Sequence, residues 1–137
     1  MAGYSGTPLL RKLGIQERHR VLLHNAPAEL PEELKGYAGR RLNSNLDVVV
    51  LFVKSAAALH GEFARVMNSI NVDGMIWIAW PKKASGIPTD LTDNVIRDEI
   101  LKTPFVDVKV CAIDETWSGL KFVIRKEHRA AIAAKAN

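Results

Sequence analysis

Two segments of the chain, residues 46–53 and 75–80, are apolar at almost every position. A strand buried on both faces has such a sequence, and strands of this kind are typical of the middle of a parallel sheet. Each segment is followed by apolar residues at helical spacing, in residues 56–70 and 91–101. The pattern therefore predicts two buried strands with helical crossovers, and Gly74 is predicted as a break before the second strand.

Shorter elements precede this pair. Residues 7–13 predict a short helix that Thr7 caps and Gly14 ends. Residues 20–24 predict a short strand. Residues 26–45 contain two prolines and two glycines, and they predict a loop with one turn of helix and a weak strand.

The last part of the chain changes to a period of two. Residues 106–113 and 120–125 alternate between two faces, which indicates half-exposed strands. The short connection between them predicts an antiparallel hairpin at the sheet edge. Together the elements predict an α/β protein with a mostly parallel sheet and a C-terminal antiparallel hairpin. Its parallel strands are expected to end at His24, Val53 and Trp80.

Length and composition favour one domain. The 137 residues, 47% of them apolar, can form one hydrophobic core, so we expect a single α/β domain over residues 1–137 with a flexible basic tail from about residue 126. No apolar run reaches the roughly 20 residues of a membrane span, and residues 1–5 lack the features of a signal peptide. The single cysteine, Cys111, excludes an internal disulfide. We therefore expect a cytoplasmic protein with no membrane partner.

The net charge of +4 is concentrated at the two ends of the chain. Residues 1–20 hold four basic residues and one acidic residue, and residues 121–137 hold five and one. Such ends could serve an anionic partner or be two solvated termini. Nucleic acid is the less favoured partner, because the basic residues do not alternate with aromatic ones.

Polar, glycine-containing segments collect where the predicted strands end. Residues 82–86 and 114–119 each follow a strand, and residues 4–7 open the first helix. Because ligands of open α/β sheets bind beyond the carboxyl ends of the strands, these segments are predicted to meet at one rim. The residues predicted to line a small-ligand site there are Ser5, Thr7, Lys82, Lys83, Ser85, Asp114, Glu115, Trp117 and Ser118.

The predicted site suits an anionic ligand. Lys82 and Lys83 would attract the anionic group, and backbone N–H groups at the start of the next helix would hold it. Trp117 would supply an apolar wall for a planar ligand, while Asp114 and Glu115 suit acid–base chemistry or cation binding. The structural alternative is that these carboxylates pair with the lysines in an ordinary polar loop.

Sequence motifs of common nucleotide and metal sites are absent. No two of the nine glycines are separated by a single residue, and neither a dinucleotide fingerprint nor a P-loop occurs. The four histidines lack metal-ligand spacing, and only His24, at the end of a predicted strand, is of interest. The sequence therefore assigns no metal and leaves any cofactor unknown.

Three longer segments carry a family signature. They read GYSGTPLLRKLGI in residues 3–15, WPKKASGIPTDLT in residues 80–92 and VDVKVCAIDETWSGLKFV in residues 106–123. These segments resemble a bacterial family catalogued as a domain of unknown function, number 3052. The resemblance covers nearly the whole chain and is weakest in residues 26–45. It implies a small bacterial protein and supplies no established activity.

The order of elements is similar to the later half of class I methyltransferases, in which parallel strands with helices precede a terminal antiparallel hairpin. This resemblance implies a three-layer, Rossmann-like sheet of truncated methyltransferase-like form. Members of that family bind S-adenosylmethionine at a Gly-rich loop after their first strand, where this chain has His24-Asn25-Ala26-Pro27. They also use an acidic residue at the end of their second strand, for which this chain has no assigned counterpart.

Three functions are compatible with these observations. The favoured one is a module that binds a small anionic ligand at the rim of the strand ends. An enzyme at the same rim would use a lysine to steady an anion and Asp114 or Glu115 as acid or base. A protein-interaction domain would use the exposed edge of the hairpin. The sequence leaves the ligand, any catalysis and a homo-oligomer open.

Overall fold

The computed structural model describes residues 8–41 and 43–129 as a five-stranded sheet with helices on both faces. The predicted cap Thr7 and most of the predicted tail, residues 130–137, lie outside the described residues. The strands are β1 (Val21–His24), β2 (Leu46–Phe52), β3 (Ile70–Pro81), β4 (Phe105–Ala112) and β5 (Trp117–Ile124). The helices are α1 (Leu9–Leu13), α2 (Ala56–Val66) and α3 (Asp93–Ile100), with 3-10 helices at Glu32–Tyr37 and Lys83–Ser85.

The sheet is mixed, with its strands in the order β1-β2-β3-β5-β4. Strands β1, β2 and β3 are parallel, and β5 is antiparallel to both β3 and β4. The parallel strands and the C-terminal antiparallel hairpin are thus confirmed. The expectation of a mostly parallel sheet is wrong, because β5 pairs along its length with β3 as well as with β4. Since β5 lies beside β3, strand β4 forms the edge of the sheet.

Both faces of the sheet are covered, as the uninterrupted apolar runs predict. On one face, α2 and α3 pack on the strands through side chains such as Phe63 and Ile96. On the other face, α1 packs through Leu13 together with the first 3-10 helix. The neighbouring residues Trp77 and Ile78 of β3 are fully buried and belong to the two different cores.

Helix α1 is fixed to the sheet by a buried hydrogen bond. Gly14 ends the helix in the left-handed conformation with φ of 76°, which confirms its predicted role. The indole Nε1 of Trp77 donates a hydrogen bond to the carbonyl oxygen of Leu13 over 2.9 Å. This bond satisfies a fully buried donor and ties the C-terminus of α1 to the middle of β3.

Strand β3 continues through Gly74, so the break predicted there is wrong. Helix α2 ends at Val66, and β3 begins at Ile70, which pairs with Leu46 of β2. A Cβ atom at Gly74 would lie 3.0 Å from the carbonyl oxygen of Leu46 and 3.1 Å from that of Asp47. Glycine is required at this position because the backbones of β2 and β3 approach closely where their register is irregular.

Replacing Gly74 by alanine is expected to lower the free energy of unfolding by about 1–2 kcal/mol, because backbone atoms must move to admit the methyl group. Urea denaturation followed by circular dichroism measures this loss. Gly61→Ala in α2 is the matched control, since its Cβ would meet no atom within 4 Å. The control is expected to gain about 0.5–1 kcal/mol from alanine's helix propensity. Equal stabilities of the two variants would contradict the close approach at Gly74.

The edge strand β4 is more exposed than its alternating sequence predicts. Val108 and Val110 are 50% and 49% exposed, and Leu101, before the strand, is 38% exposed. The pairing with β5 shifts register between Asp107 and Lys109, which marks a β-bulge. A bulge transfers the following side chains to the other face, and it discourages further strands from pairing with the edge.

The connection between β1 and β2 is mostly irregular. Its described part contains the 3-10 helix Glu32–Tyr37, and the weak strand predicted within residues 26–45 does not occur there. None of the helices in the described part of the chain has the length and apolar character needed to cross a membrane.

Candidate functional site

An open cleft of about 470 Å³ begins at the rim where β1 and β2 end and runs along α2 from Ala57 to Arg65. Its size is within the range of small-molecule sites, and open α/β sheets bind ligands at this end of their parallel strands. The last residue of β2, Phe52, and the first residue of β5, Trp117, form an apolar wall of the cleft. The polar residues that line the cleft are Asn25, Lys54, Ser55, Glu62 and Arg65.

Glu62 is the centre of a polar cluster on one side of the cleft. Its Oε2 lies 2.8 Å from His24 Nε2 and accepts a hydrogen bond from Asn25 Nδ2. Its Oε1 lies 3.3 Å from Arg65 Nε. Asn25 reaches Glu62 from a left-handed conformation with φ of 60°, which asparagine tolerates directly after a strand. These side chains tie the end of β1 to α2.

The surroundings of Glu62 keep its carboxylate charged. Burial raises the pKa of Glu62, but the hydrogen bonds of Asn25 and His24 and the charges of His24 and Arg65 outweigh burial, so the pKa lies below its ordinary value. Lys54 is exposed and takes part in none of the ion pairs within residues 8–41 and 43–129. Within those ranges no three His, Cys, Asp or Glu side chains are grouped to hold a metal ion.

Phe52 and Trp117 form the apolar wall of the cleft. Phe52 is the last residue of β2 and Trp117 the first of β5, so the two rings meet at the sheet rim. Their centroids are 5.1 Å apart and their planes are at 90°, an edge-to-face arrangement. Trp117 is only 4% exposed and Phe52 only 3%, so both residues belong mainly to the core and border the cleft with little surface.

The N-terminus of α2 borders the cleft and is already capped. Ser55 Oγ accepts a hydrogen bond from Ala58 N over 3.2 Å, and Asp90 Oδ1 accepts one from Ala56 N over 2.8 Å. These contacts satisfy two of the N–H groups that a helix leaves free at its start. Asp90 also places a negative charge at this helix end. Anion binding in the cleft would therefore depend on side-chain cations.

Three of the predicted site residues, Lys82, Asp114 and Trp117, are brought together by contacts that shape a loop. Lys82 Nζ donates a hydrogen bond to the backbone carbonyl of Asp114 over 2.6 Å. Asp114 Oδ1 accepts hydrogen bonds from Thr116 N over 2.8 Å and from Trp117 N over 2.7 Å. The Asp114 carboxylate thus closes an Asx-type turn, and Lys82 holds that turn against β3.

Among the described residues of the predicted site, Trp117 alone lines the cleft. Ser85 Oγ donates a hydrogen bond to Lys82 O over 2.6 Å and belongs to the turn after β3. Ser5 and Thr7 lie outside the described residues. The other described residues of the predicted site line no part of the cleft; they are Lys82, Lys83, Ser85, Asp114, Glu115 and Ser118. Their role in binding a ligand stays a prediction.

Sequence reasoning did not select the polar residues of this cleft. Lys54 and Ser55 follow the end of β2 after Val53, so the rule that places ligand sites at strand ends could have found them. Glu62 and Arg65 lie three residues apart on α2, a spacing typical of an ordinary solvated helix face. The face of α2 that turns toward the rim is set by how the helix packs on the sheet. The hydrophobic periodicity of the sequence does not give this orientation. His24, the one histidine of interest, contacts Glu62.

No protein-family model matches the chain, and no curated protein matches it in sequence. The resemblance of three segments to the domain of unknown function 3052 therefore stays a prediction. Among solved structures, a protein of the NADB-Rossmann superfamily from Streptococcus agalactiae aligns with a TM-score of 0.50 and 8% identity, over 89% of this chain and 70% of that chain. This likeness shows a Rossmann-like α/β fold, and a fold alone assigns no activity.

Two methyltransferases also align with the chain. A ribosomal protein L11 methylase from Lactobacillus delbrueckii subsp. bulgaricus has a TM-score of 0.43 and 14% identity, over 61% of this chain and 39% of that chain. An M1A22 tRNA methyltransferase from B. subtilis has a TM-score of 0.44 and 9% identity, over 66% and 36%. The chain thus spans less than half the length of either enzyme. The truncated methyltransferase-like form of the sheet stays a prediction.

Proposed function

We propose that this protein binds a small molecule with an anionic group in the cleft between α2 and the ends of β1 and β2. One observation carries the proposal: a cleft of small-molecule size joins two exposed cations, Lys54 and Arg65, to the apolar wall of Phe52 and Trp117. The cations would attract and orient the anionic group. The wall would accommodate an apolar or planar part of the same ligand.

The charges along the cleft favour an anion although a carboxylate lines it. Glu62 is occupied by His24, Asn25 and Arg65, so its charge is largely compensated. Arg65 contacts Glu62 through Nε, and a guanidinium has further N–H donors for a ligand. Lys54 adds a second cation at the end of β2.

The proposed cleft lies at the rim predicted from the sequence, but Lys54 and Arg65 replace Lys82 and Lys83 as the cations that hold the ligand. The sequence favoured the lysines after β3, but Lys82 is bound to the backbone of Asp114. Lys54 follows the neighbouring parallel strand β2 and borders the open cleft. Trp117 is common to both assignments. The proposal concerns ligand binding alone. A Rossmann-like fold hosts many unrelated activities, so the fold does not assign a reaction.

Adenosine 5′-monophosphate joins a phosphate group to a planar base and is a suitable probe of this cleft. We expect isothermal titration calorimetry to detect its binding, and we expect adenosine, which lacks the anion, to bind more weakly. The double variant Lys54→Ala/Arg65→Ala is expected to weaken binding of the monophosphate about 100-fold, since each charge-assisted contact contributes about 1.5 kcal/mol.

The matched control, Lys35→Ala/Lys102→Ala, removes the same total charge. These two lysines pair with Glu32 and Glu99 and line no part of the cleft. The control is expected to bind the monophosphate as the parent does. An equal loss in both double variants would assign the effect to net charge, and undiminished binding by Lys54→Ala/Arg65→Ala would place the ligand elsewhere.

A further inference from the structure

One lysine from each basic segment of the sequence, Lys12 and Lys121, lies on the α1 side of the sheet, and neither lines the cleft. Lys12 lies on α1, which is fixed by the hydrogen bond from Trp77 to Leu13. Lys121 of β5 is the register partner of Trp77. A Cβ atom on Gly14 would lie 4.0 Å from Lys121 Nζ, so this ammonium group reaches the end of α1.

A third lysine faces Lys121 across the hairpin. Lys109 of β4 is its register partner. Directly opposed residues of an antiparallel pair have Cβ atoms about 4.5–5.5 Å apart, and like charges at such positions destabilise a sheet. Cys111 lies two residues further along β4 and therefore on the same face. Lys12 lies two residues before Gly14, the end of α1 that Lys121 Nζ reaches, so the three lysines and Cys111 lie on the same side of the sheet. The charges of Lys12 and Lys109 also act on the Cys111 thiol.

No carboxylate balances these cations within residues 8–41 and 43–129. The ion pairs of those residues include neither Lys12 nor Lys109 nor Lys121. Burial and the charge of Lys109 lower the pKa of Lys121. Burial raises the pKa of the Cys111 thiol against the opposing effect of Lys12 and Lys109. The fold therefore holds Lys109 and Lys121 opposite each other at a cost in stability.

We propose that this cationic face binds a phosphate oxyanion between Lys12, Lys109 and Lys121, at a site independent of the cleft. A doubly charged anion offsets the repulsion between the opposed lysines, and ammonium groups bind phosphate as point charges. Lys12 and Lys121 are half-buried, so their motion is restricted, while the exposed Lys109 leaves the face open for entry.

A compact phosphate, free or as part of a small phosphoester, fits this face better than a nucleic acid does. The neighbouring register pair on this face, Val106 and Val123, is aliphatic, whereas single-stranded nucleic acids bind on aromatic side chains. Three lysines can also neutralise one phosphate group, whereas a nucleic acid presents several backbone phosphates in a row.

The test uses inorganic phosphate as the probe and sodium chloride of equal ionic strength as the reference. At ten times its Kd, phosphate is expected to raise the Tm of the full chain by about 4 °C. Lys109→Met/Lys121→Met should lose this shift. In phosphate-free buffer the same variant should melt about 1–3 °C above the parent, because the like-charge pair is gone. The control Lys35→Met/Lys102→Met should keep the full shift.

Cys111, the single cysteine of the chain, gives a local readout. Phosphate at the same level is expected to slow alkylation of the thiol by iodoacetamide about tenfold, because the bound anion covers it and neutralises the cations that favour the thiolate. Lys54→Ala/Arg65→Ala should keep this protection, which separates a failure of the cleft from a failure of the lysine site.

The proposal is overturned if phosphate changes neither the Tm nor the alkylation rate beyond the effect of chloride. Full retention of both effects by Lys109→Met/Lys121→Met overturns it as well. Protection of Cys111 by a short oligouridylate but not by phosphate would assign the face to nucleic acid and also contradict the proposal. Equal protection by glucose 6-phosphate and phosphate supports a phosphoester ligand, and protection by phosphate alone supports the free anion.

Discussion

Trp77→Ala is expected to lower the free energy of unfolding by about 3–5 kcal/mol, because the truncation opens a cavity in the core beneath α1. The indole is fully buried, and its Nε1 donates the 2.9 Å hydrogen bond to the carbonyl oxygen of Leu13. Without this bond the C-terminus of α1 loses its polar contact with β3. Equilibrium urea denaturation measures the loss, and Trp77→Phe, which restores most of the ring volume but no donor, should recover part of it.

Ile78→Ala probes the opposite face of the same strand. Ile78 is fully buried in the core under α2 and α3, so the substitution is expected to cost about 2–5 kcal/mol. Val108→Ala is the control, because Val108 is 50% exposed at the sheet edge and should change stability by less than about 0.5 kcal/mol. If Trp77→Ala or Ile78→Ala unfolds like the parent, that face of β3 is open and the two-sided core is wrong.

Glu62→Ala is expected to lower the free energy of unfolding by about 1–2 kcal/mol. The side chain of Glu62 is 21% exposed and contacts His24, Asn25 and Arg65. Its removal leaves the partly buried His24 without this acceptor, whereas the exposed Asn25 and Arg65 can bond to water instead. Glu62→Gln retains an acceptor oxygen and should lose less. Urea denaturation near neutral pH ranks the three proteins, and a Glu62→Ala variant as stable as the parent would contradict the cluster.

The pH dependence gives an independent check on Glu62. Its pKa is lowered in the folded protein, so the folded state favours the carboxylate and this stabilisation is fully present above the unfolded value of about 4.3. It is lost as the pH falls through the lower, folded value. The stability gap between the parent and Glu62→Gln should therefore close as the pH falls through the lowered, folded-state pKa of Glu62. A gap that persists unchanged in acid would show that Glu62 does not act through its charge.

The core of the fold was predictable because its chemistry leaves few choices. Residues 48–53 and 75–80 are apolar without interruption, and burial on both faces accounts for that. The error at Gly74 has a different origin. Glycine commonly marks a turn, and here it permits a close approach of two backbones that is visible only after β2 and β3 are paired.

The sequence predicted the rim at which the candidate cleft lies, but of the residues that line the cleft it predicted only Trp117. Connectivity alone locates the carboxyl ends of parallel strands. The pair Lys82-Lys83 is conspicuous in the sequence and therefore indicates an anion site. The hydrogen bond of Lys82 to the Asp114 backbone depends on the pairing of β3 with β5, which the sequence does not show. Glu62 and Arg65 face the cleft through the rotation of α2 about its own axis, which is set by the packing of Leu59, Phe63 and Val66.

Native mass spectrometry of the protein purified from its own host tests the proposed function most directly. The account predicts a non-covalent adduct of a small molecule that is released on denaturation and is detected as an anion. The adduct should persist on Lys35→Ala/Lys102→Ala and disappear from Lys54→Ala/Arg65→Ala. A parent protein that carries only the mass of the bare chain, or an adduct that survives on Lys54→Ala/Arg65→Ala, would contradict binding in this cleft.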